Sequence, residues 1–559
     1  MGRSRSFKLH KELNPAPAED VAVSPSANSS SSSRSFALPL FWLFGLAIAG
    51  LSGYGLSGAP LSSVRSMWID QLFSEYIPPG PVHLHLLNER DRILGENNSE
   101  PPGLWDPPKS YGWKPCLDGN GNIPVKHRVQ NRYLQVFCTG GLFQLHICVC
   151  NAVTVAWLLN ASLVVPYFEE SAVWKDPSAF GDIYDVEHFQ SSLKNEVHIV
   201  HQLPPEFEWS TPQYYESKCL ERPNCFLYIP KHSKKEWYFE NVLPALESYG
   251  IVVLDRYHHR LSFEGLPYEA TQLRCKTNFH SLKFVKPILD LARKLVKRLK
   301  IKAKVLQKRA QTKLILTSMN DTETRIKNAN GHFLGLHLRF EKDMIAHSAC
   351  YYGGGLAEKN ALASYRRKTF KTFVPKTQFS AEYLRRNGSC PLTPEEVGLL
   401  LAGLGFQSIT PIYVAGKKSY GGEARVKPLR DMFPHLETKL TLASETELEW
   451  FLPFSHKLAA LDFMVLLESD TFLSNSAGNF PNVLTGQRTF LGPRKSIHPD
   501  KAALFALFSN TSQSWIEFSE AVNAIHKDRQ GSPYPRPERY SIYRYPAPDC
   551  MCREPMGHL

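Results

Sequence analysis

GLHLRFEKDMIAHSACYYGGG, residues 335–355, is the stretch on which the reading of this chain turns. Residues 333–338 alternate as a buried strand does and run straight into Arg339; Glu341, Lys342 and Asp343 follow, and then a glycine run. Open α/β sheets take their ligands at the carboxyl ends of their strands. A guanidinium fixed there can fork onto the oxygens of a diphosphate. The same pattern also suits a plain ion pair between Arg339 and Glu341 or Asp343 across a turn, and the spacing alone leaves both readings open.

Working outward, strand-like runs at 133–137, 162–166, 197–200, 251–254, 333–338, 412–415 and 463–467 are separated by helical patterns. Strands that alternate with helices form parallel sheets. At 559 residues the chain exceeds what one core supports, so two such sheets are expected. The fold class expected is therefore α/β, with two Rossmann-like doubly wound domains facing a cleft. The predicted divisions are a disordered tail at 1–34, an anchor at 35–58, a stem at 59–115, an N-terminal domain at 116–325, a C-terminal domain at 326–530 and a surface tail at 531–559. The basic helix expected over 283–313 forms the hinge between the two sheets.

The N-terminal tail is Ser-rich and carries Arg3, Arg5, Lys8, Lys11 and Arg34 against Glu12, Glu19 and Asp20. The uncharged run that begins FALPLFWLFGLAIAGL at 36–51 can cross a bilayer, since about 20 residues of helix span the hydrocarbon core. A cleaved signal peptide is the competing reading, disfavoured by the long tail and by Pro60. The cations before the span predict a cytosolic N-terminus and a lumenal body, a single-pass type II membrane protein. Asn97, Asn160, Asn320, Asn387 and Asn510 head glycosylation sequons. Among eleven cysteines, Cys219 and Cys225 bracket a turn suited to a disulfide, whereas Cys148 and Cys150 read as buried thiols. The net charge of +12 is concentrated on one face of the 283–313 helix, which reads as a solvated face. Nucleic acid is not an expected partner, and an acidic polysaccharide remains open.

Gly140 and Gly141 end the first strand and open a helix, a place suited either to a phosphate or to tight packing of the turn. The chain holds no Walker A sequence, no G-x-S-x-G, no H-E-x-x-H and no Asp-x-Asp, and the formal G-x-G-x-x-G at 53–58 falls in the anchor. No metal site is expected.

Taken in order, TGGLFQ with NASLVVP, WKDPSAFGDIYDVEHF, the 335–355 stretch, RRNGSCPLTPEEVGLLLAGLGF, IYVAGKKSYGGEARVKPLRDMFP and AALDFMVLLESDTFLSNSAGNFPNVLTGQRTFLGPRKSIHPDK resemble the plant O-fucosyltransferase-like family. That resemblance implies a GT-B-like fold and an inverting Golgi glycosyltransferase without a metal. Its co-substrate would be GDP-fucose or another nucleotide sugar, and its acceptor a cell-wall polysaccharide or glycoprotein. It also implies that Arg339 is the donor-phosphate arginine with His337 beside it, that Ser474, Ser476 and Gly478 form the β-phosphate cradle, and that Arg488 adds a second cation. Asp470 and Glu468 are expected at nucleotide or cradle contacts, and Glu341 or Asp343 as general base. With Gly140 and Gly141 these complete the candidate site.

Family members usually read GGLNQ with an arginine two residues on; here Phe143 and His146 stand in those places. An aromatic ring offers none of the amide's hydrogen bonds. Two functions therefore stand side by side, a transferase that holds its acceptor differently, and a family member with weak or no activity that binds carbohydrate or organises a complex.

Overall fold

The computed structural model describes residues 100–116, 131–207, 225–317, 331–370 and 375–553 apart from 172, 256, 511 and 539, together with Ile123 and residues 86 and 88–90. The expected tail, anchor and most of the stem lie outside the described residues, as does Cys219. Among the described residues no helix is long and apolar enough to cross a membrane.

The N-terminal sheet contains β1 (Tyr133–Thr139), β2 (Ser162–Val164), β3 (Tyr167–Glu169), β4 (Ile199–Val200), β5 (Phe226–Tyr228) and β6 (Ile251–Asp255). Its order is β4-β2-β1-β6-β5, with β3 pairing the end of β1, and every pairing is parallel. The C-terminal sheet contains β7 (Leu334–His337), β8 (Ile412–Ala415), β9 (Leu436–Glu437), β10 (Thr471–Ser474) and β11 (Lys495–Ile497) in the order β9-β8-β7-β10-β11, again parallel. Each sheet thus reverses its winding once, between β1 and β6 and between β7 and β10. These two points are where doubly wound sheets open a crevice.

Parallel sheets need cover on both faces. In β1 the alternation provides it: Leu134, Val136 and Cys138 join the main core, while Phe137 packs on the other face with Ile251 and Val253. The helix after β1, α1 (Leu142–Leu158), is apolar around nearly its whole circumference and is accordingly buried. The basic helix α2 (Lys286–Thr317) buries Ile288, Leu291, Leu295, Leu299 and Ala303 and keeps its cations outside. That stripe lies against α3 (Ser455–Leu467) of the other half, so one hydrophobic core runs through both. Arg298 of α2 grips Glu447 with two bonds of 2.7 and 2.9 Å across the same junction.

Three expectations change. Residues 463–467 belong to α3, and the strand comes later, at β10; an apolar run of this length fits either element, and α3 buries most of its circumference. Cys148 is bonded to Cys138, leaving Cys150 as the buried free thiol among the described residues. The segment from Gly531, expected as a surface tail, returns to the core: Ile542, Tyr543, Cys550 and Met551 are buried. Cys116–Cys552 and Cys275–Cys550 bond it to the N-terminal half, and Met551–Arg553 pairs antiparallel with Trp113–Pro115. Its Pro and Arg content disguised it, because the cysteines that anchor it meet partners far away in sequence. Cys350–Cys390 closes a further loop in the C-terminal half.

Gly486, inside α4 (Asn479–Phe490), is where this returning segment touches the core, and a Cβ there would lie 1.8 Å from the Tyr543 carbonyl oxygen. Gly486→Ala is expected to cost about 2–3 kcal/mol in urea unfolding, the scale of an overpacked core. Gly181→Ala, where the new Cβ meets only Val186 at 3.4 Å, is expected to leave the midpoint unchanged or raise it slightly.

Candidate active site

At the C-terminal switch point, β7 delivers His337 and then Arg339, and β10 delivers Ser474 followed by Asn475 and Ser476. Asn475, absent from the sequence-based candidates, ties the two strand ends together. Its Oδ1 accepts the Arg339 N–H at 2.7 Å, and its Nδ2 donates to the Leu392 carbonyl at 2.8 Å. The only signal for it in the sequence was its place between two candidate serines. Ser474 Oγ lies 3.0 Å from His337 Nδ1 and donates to the Ser476 carbonyl at 2.9 Å. The Ser476 hydroxyl is buried and has no hydrogen-bond partner. Gly478 caps α4, whose first N–H groups have no partner within the helix, and a Cβ added at Gly478 would meet only Pro481 at 3.8 Å.

Arg339 is mostly covered, and each end of its guanidinium meets a carboxylate: Nη1 reaches Glu341 Oε2 at 2.8 Å and Nη2 reaches Asp343 Oδ2 at 2.6 Å. Burial pulls its pKa down, but the two acids outweigh that and hold it above the ordinary value. Glu341 also accepts the Lys417 N–H at 3.0 Å. Both acids expected as candidate bases are therefore engaged in orienting the guanidinium. His337 is driven down to about 3 by burial and then by Arg339 and Lys439, so it is a neutral imidazole, stacked at 4.4 Å on Phe480.

Trp174, from the WKDPSAF motif of the N-terminal half, lies across this arrangement. The Arg339 guanidinium carbon is 5.3 Å from the centre of the indole, and Lys417 Nζ is 4.8 Å away. Asp176, two residues on and buried, fixes it: this carboxylate accepts from the His456 N–H at 2.6 Å and Ser455 Oγ at 3.1 Å, both on α3, and from the Ser178 N–H at 2.8 Å. Gly140 and Gly141 serve this packing. The Gly140 carbonyl lies 3.2 Å from His456 Nε2, and Gly140 holds φ +117°. The Gly141 N–H is already satisfied by Gln144 Oε1 at 2.7 Å, and a Cβ there would come within 2.9 Å of the indole. Of the two roles open to the glycine pair, the structure realises tight packing.

Two candidate groups lie elsewhere. The Arg488 guanidinium is wholly buried and donates to the carbonyls of Leu466, Leu467, Ser469 and Lys495 at 2.8–3.1 Å. It ties the start of β10 to β11 and is not turned toward the crevice. Asp470 and Glu468 precede β10 and so sit at its amino edge, opposite the ligand edge. There Asp470 accepts the Phe333 N–H at 2.9 Å and pairs with His332, and Glu468 pairs with Arg494. Placing a strand at 463–467 had set both acids at the wrong end of it.

Phe143 is buried at the junction of the halves. Its ring packs on Phe463 at 4.5 Å and edge-on to Phe480 at 5.1 Å, and Phe480 in turn carries His337. His146 is equally buried, bonded to Tyr184 at 3.1 Å and Asn278 at 2.8 Å, and burial holds it down to about 4. The two departures from the family pattern are thus packed into one apolar seam.

A family model described as GDP-fucose protein O-fucosyltransferase matches residues 133–491. O-fucosyltransferase 39 of Arabidopsis thaliana is 46% identical over 479 residues, covering 86% of this chain and 93% of that protein. O-fucosyltransferase 31 of the same plant is 44% identical over 483 residues, covering 86% and 91%. Among solved structures, POFUT1 in complex with GDP overlaps with a TM-score of 0.33 and 14% identity, covering 66% of this chain and 98% of that one.

Phe143→Asn is expected to cost at least about 3 kcal/mol in urea unfolding, because it empties an aromatic site and leaves an amide among rings. His146 and His337, with values near 4 and 3 against 6.5 when unfolded, bind protons only in the unfolded chain over that interval. Their contribution to stability is complete above about pH 6.5 and is lost as the pH falls below it, so the urea midpoint should drop steadily from pH 7 to pH 5.

Proposed function

The chain belongs to the GDP-fucose protein O-fucosyltransferase family, and from that premise we propose that it transfers fucose or a related deoxysugar from a GDP-sugar to a cell-wall polysaccharide or glycoprotein. The observation that carries this reading is the β7–β10 crevice. There the adjacent ends of two paired strands carry a guanidinium, a neutral imidazole and a buried hydroxyl without a partner, followed by the N-terminus of α4.

Departure of GDP leaves a diphosphate whose growing charge needs preset donors. Arg339 supplies a fork of matching geometry, kept in orientation by Asn475 through the backbone and by Glu341 and Asp343 through the side chain. The diphosphate competes with these carboxylates for the same N–H groups, and the Trp174 face keeps the guanidinium under cover while it does so. The Ser476 hydroxyl and the first N–H groups of α4 are suited to the remaining phosphate oxygens. The proposed transfer proceeds with inversion and draws its charge neutralisation from these groups, without a metal ion.

The proposed setting is the Golgi lumen, behind a single N-terminal anchor. Disulfides joining distant parts of the chain support an oxidising compartment. A second reading, a family member that binds carbohydrate without transferring it, is favoured by one observation, the burial of Phe143 in an aromatic seam where the sequence resemblance leads one to expect an asparagine.

Titration of the purified protein with GDP is expected to give saturable binding that Arg339→Ala abolishes and Arg339→Lys weakens; absence of binding would overturn the donor site. With GDP-fucose and a panel of plant glycans, Arg339→Lys is expected to lower kcat by about 10²–10³. Binding of GDP with no product from any nucleotide sugar would favour the second reading.

A further inference from the structure

The loop after β6, residues 257–262, takes no part in the function proposed so far, yet it leaves the N-terminal sheet at its own switch point, beside the end of β1. Backbone bonds lock it to the segment after β5. The His232 N–H donates to the His259 carbonyl at 2.9 Å, the Ser233 N–H to that of Arg260 at 3.0 Å, and the Ser262 N–H to that of Ser233 at 2.9 Å. Beneath it, Tyr238 donates to the Arg260 carbonyl at 2.8 Å and lies 2.9 Å from the Tyr257 hydroxyl. His232 and His259 hold left-handed φ values of +56° and +51°, unusual outside glycine and a sign that the surroundings impose the conformation.

This rigid turn gathers His232, His258 and His259 with Lys231 and Arg260. The ring centres of His258 and His259 are 5.6 Å apart, and those of His232 and His259 are 6.4 Å apart. Among the described residues no group of three or more His, Cys, Asp or Glu side chains is arranged to hold a metal ion. Burial, and after it the neighbouring histidines and cations, hold His258 and His259 down to about 4. Two nitrogens, His258 Nδ1 and Arg260 Nε, are buried without a hydrogen-bond partner. The Arg260 Nε–H is always a donor; left unpaired when buried it costs about 1–3 kcal/mol, and a bound oxygen would recover it. Across the cleft, His259 Nε2 lies 3.3 Å from the side chain of Asn479, the first residue of α4 and next to the donor-side loop.

We propose that this cluster is the acceptor subsite and that it takes the carboxylate of a uronate sugar. The assignment rests on the transferase reading of the cleft. A guanidinium matches a planar carboxylate, and half-buried neutral imidazoles offer both ring faces for sugar C–H groups and nitrogens for hydroxyls. The acceptor would lie on the N-terminal sheet, with Asn479 marking the line where it meets the donor.

Calorimetric titration with a short oligogalacturonate, and separately with its carboxyl-reduced counterpart, tests this. The acidic form is expected to bind at least about tenfold more tightly, and Arg260→Gln or His259→Asn to remove that preference, while Arg260→Lys retains part of it. GDP affinity should be unchanged in the two Arg260 variants, which also reports that the fold is intact. Equal binding of the two oligomers would overturn the proposal. So would a preference that survives Arg260→Gln but disappears on Lys297→Gln with Lys300→Gln, since that would locate binding on the basic face of α2. Failure of GDP to bind alongside a preserved Arg260-dependent preference would instead overturn the transferase reading and leave a uronate-binding site standing.

Discussion

Asp176 holds the two halves in register. Its carboxylate is buried, and burial by itself would push its pKa up, but donors from Ser178 and His456, with the His456 ring, more than offset that and keep it below the ordinary carboxylate value, while Ser455 adds a further hydrogen bond. A buried charge persists only when its lone pairs are filled. Here the donors come from both halves, so the anion is satisfied only while α3 sits against the WKDPSAF segment. Trp174, two residues earlier, is thereby set over Arg339 and Lys417.

Arg339 shows why such a junction matters to chemistry. A guanidinium on a flexible side chain binds phosphate with a large loss of rotamer freedom. In this site the loss is met during folding: Asn475 fixes the backbone, Glu341 and Asp343 fix the two nitrogens, and an indole from the opposite half covers the face. Neutral His337 beside it adds no competing charge, because crowding by Arg339 and Lys439 on top of burial keeps it unprotonated. The site is polar and nearly neutral in sum until an anion arrives.

The aromatic seam of Phe143, Phe463, Phe480 and His337 runs next to this site and is continuous with the core shared by α2 and α3. Phe143 is therefore a packing residue of the junction. Beside it, His146 is a buried polar group satisfied by Tyr184 and Asn278 in a pocket closed to solvent. A long cation in that pocket would need a buried partner that the neighbouring rings do not offer.

Local pattern alone determined a good deal: the alternation of β1, β6, β7 and β8, the amphipathic α2 and the arginine at the end of β7 are all legible because side-chain period and strand-end position are local properties. The choice between ion pair and ligand for Arg339 was left open, and the structure contains the ion pair. Residues 463–467 were read as a strand because a short apolar run has no period to distinguish it from a buried helix, and that error carried Asp470 and Glu468 to the wrong edge. Arg488 looked like a free cation until the carbonyls at the end of α3, in the turn before β10 and in β11 closed around it. The return of the C-terminal segment, the cover of Trp174, the clamp of Asn475 and the gathering of His232, His258 and His259 were decided by tertiary structure, since each depends on groups far apart in the chain whose meeting no local pattern encodes.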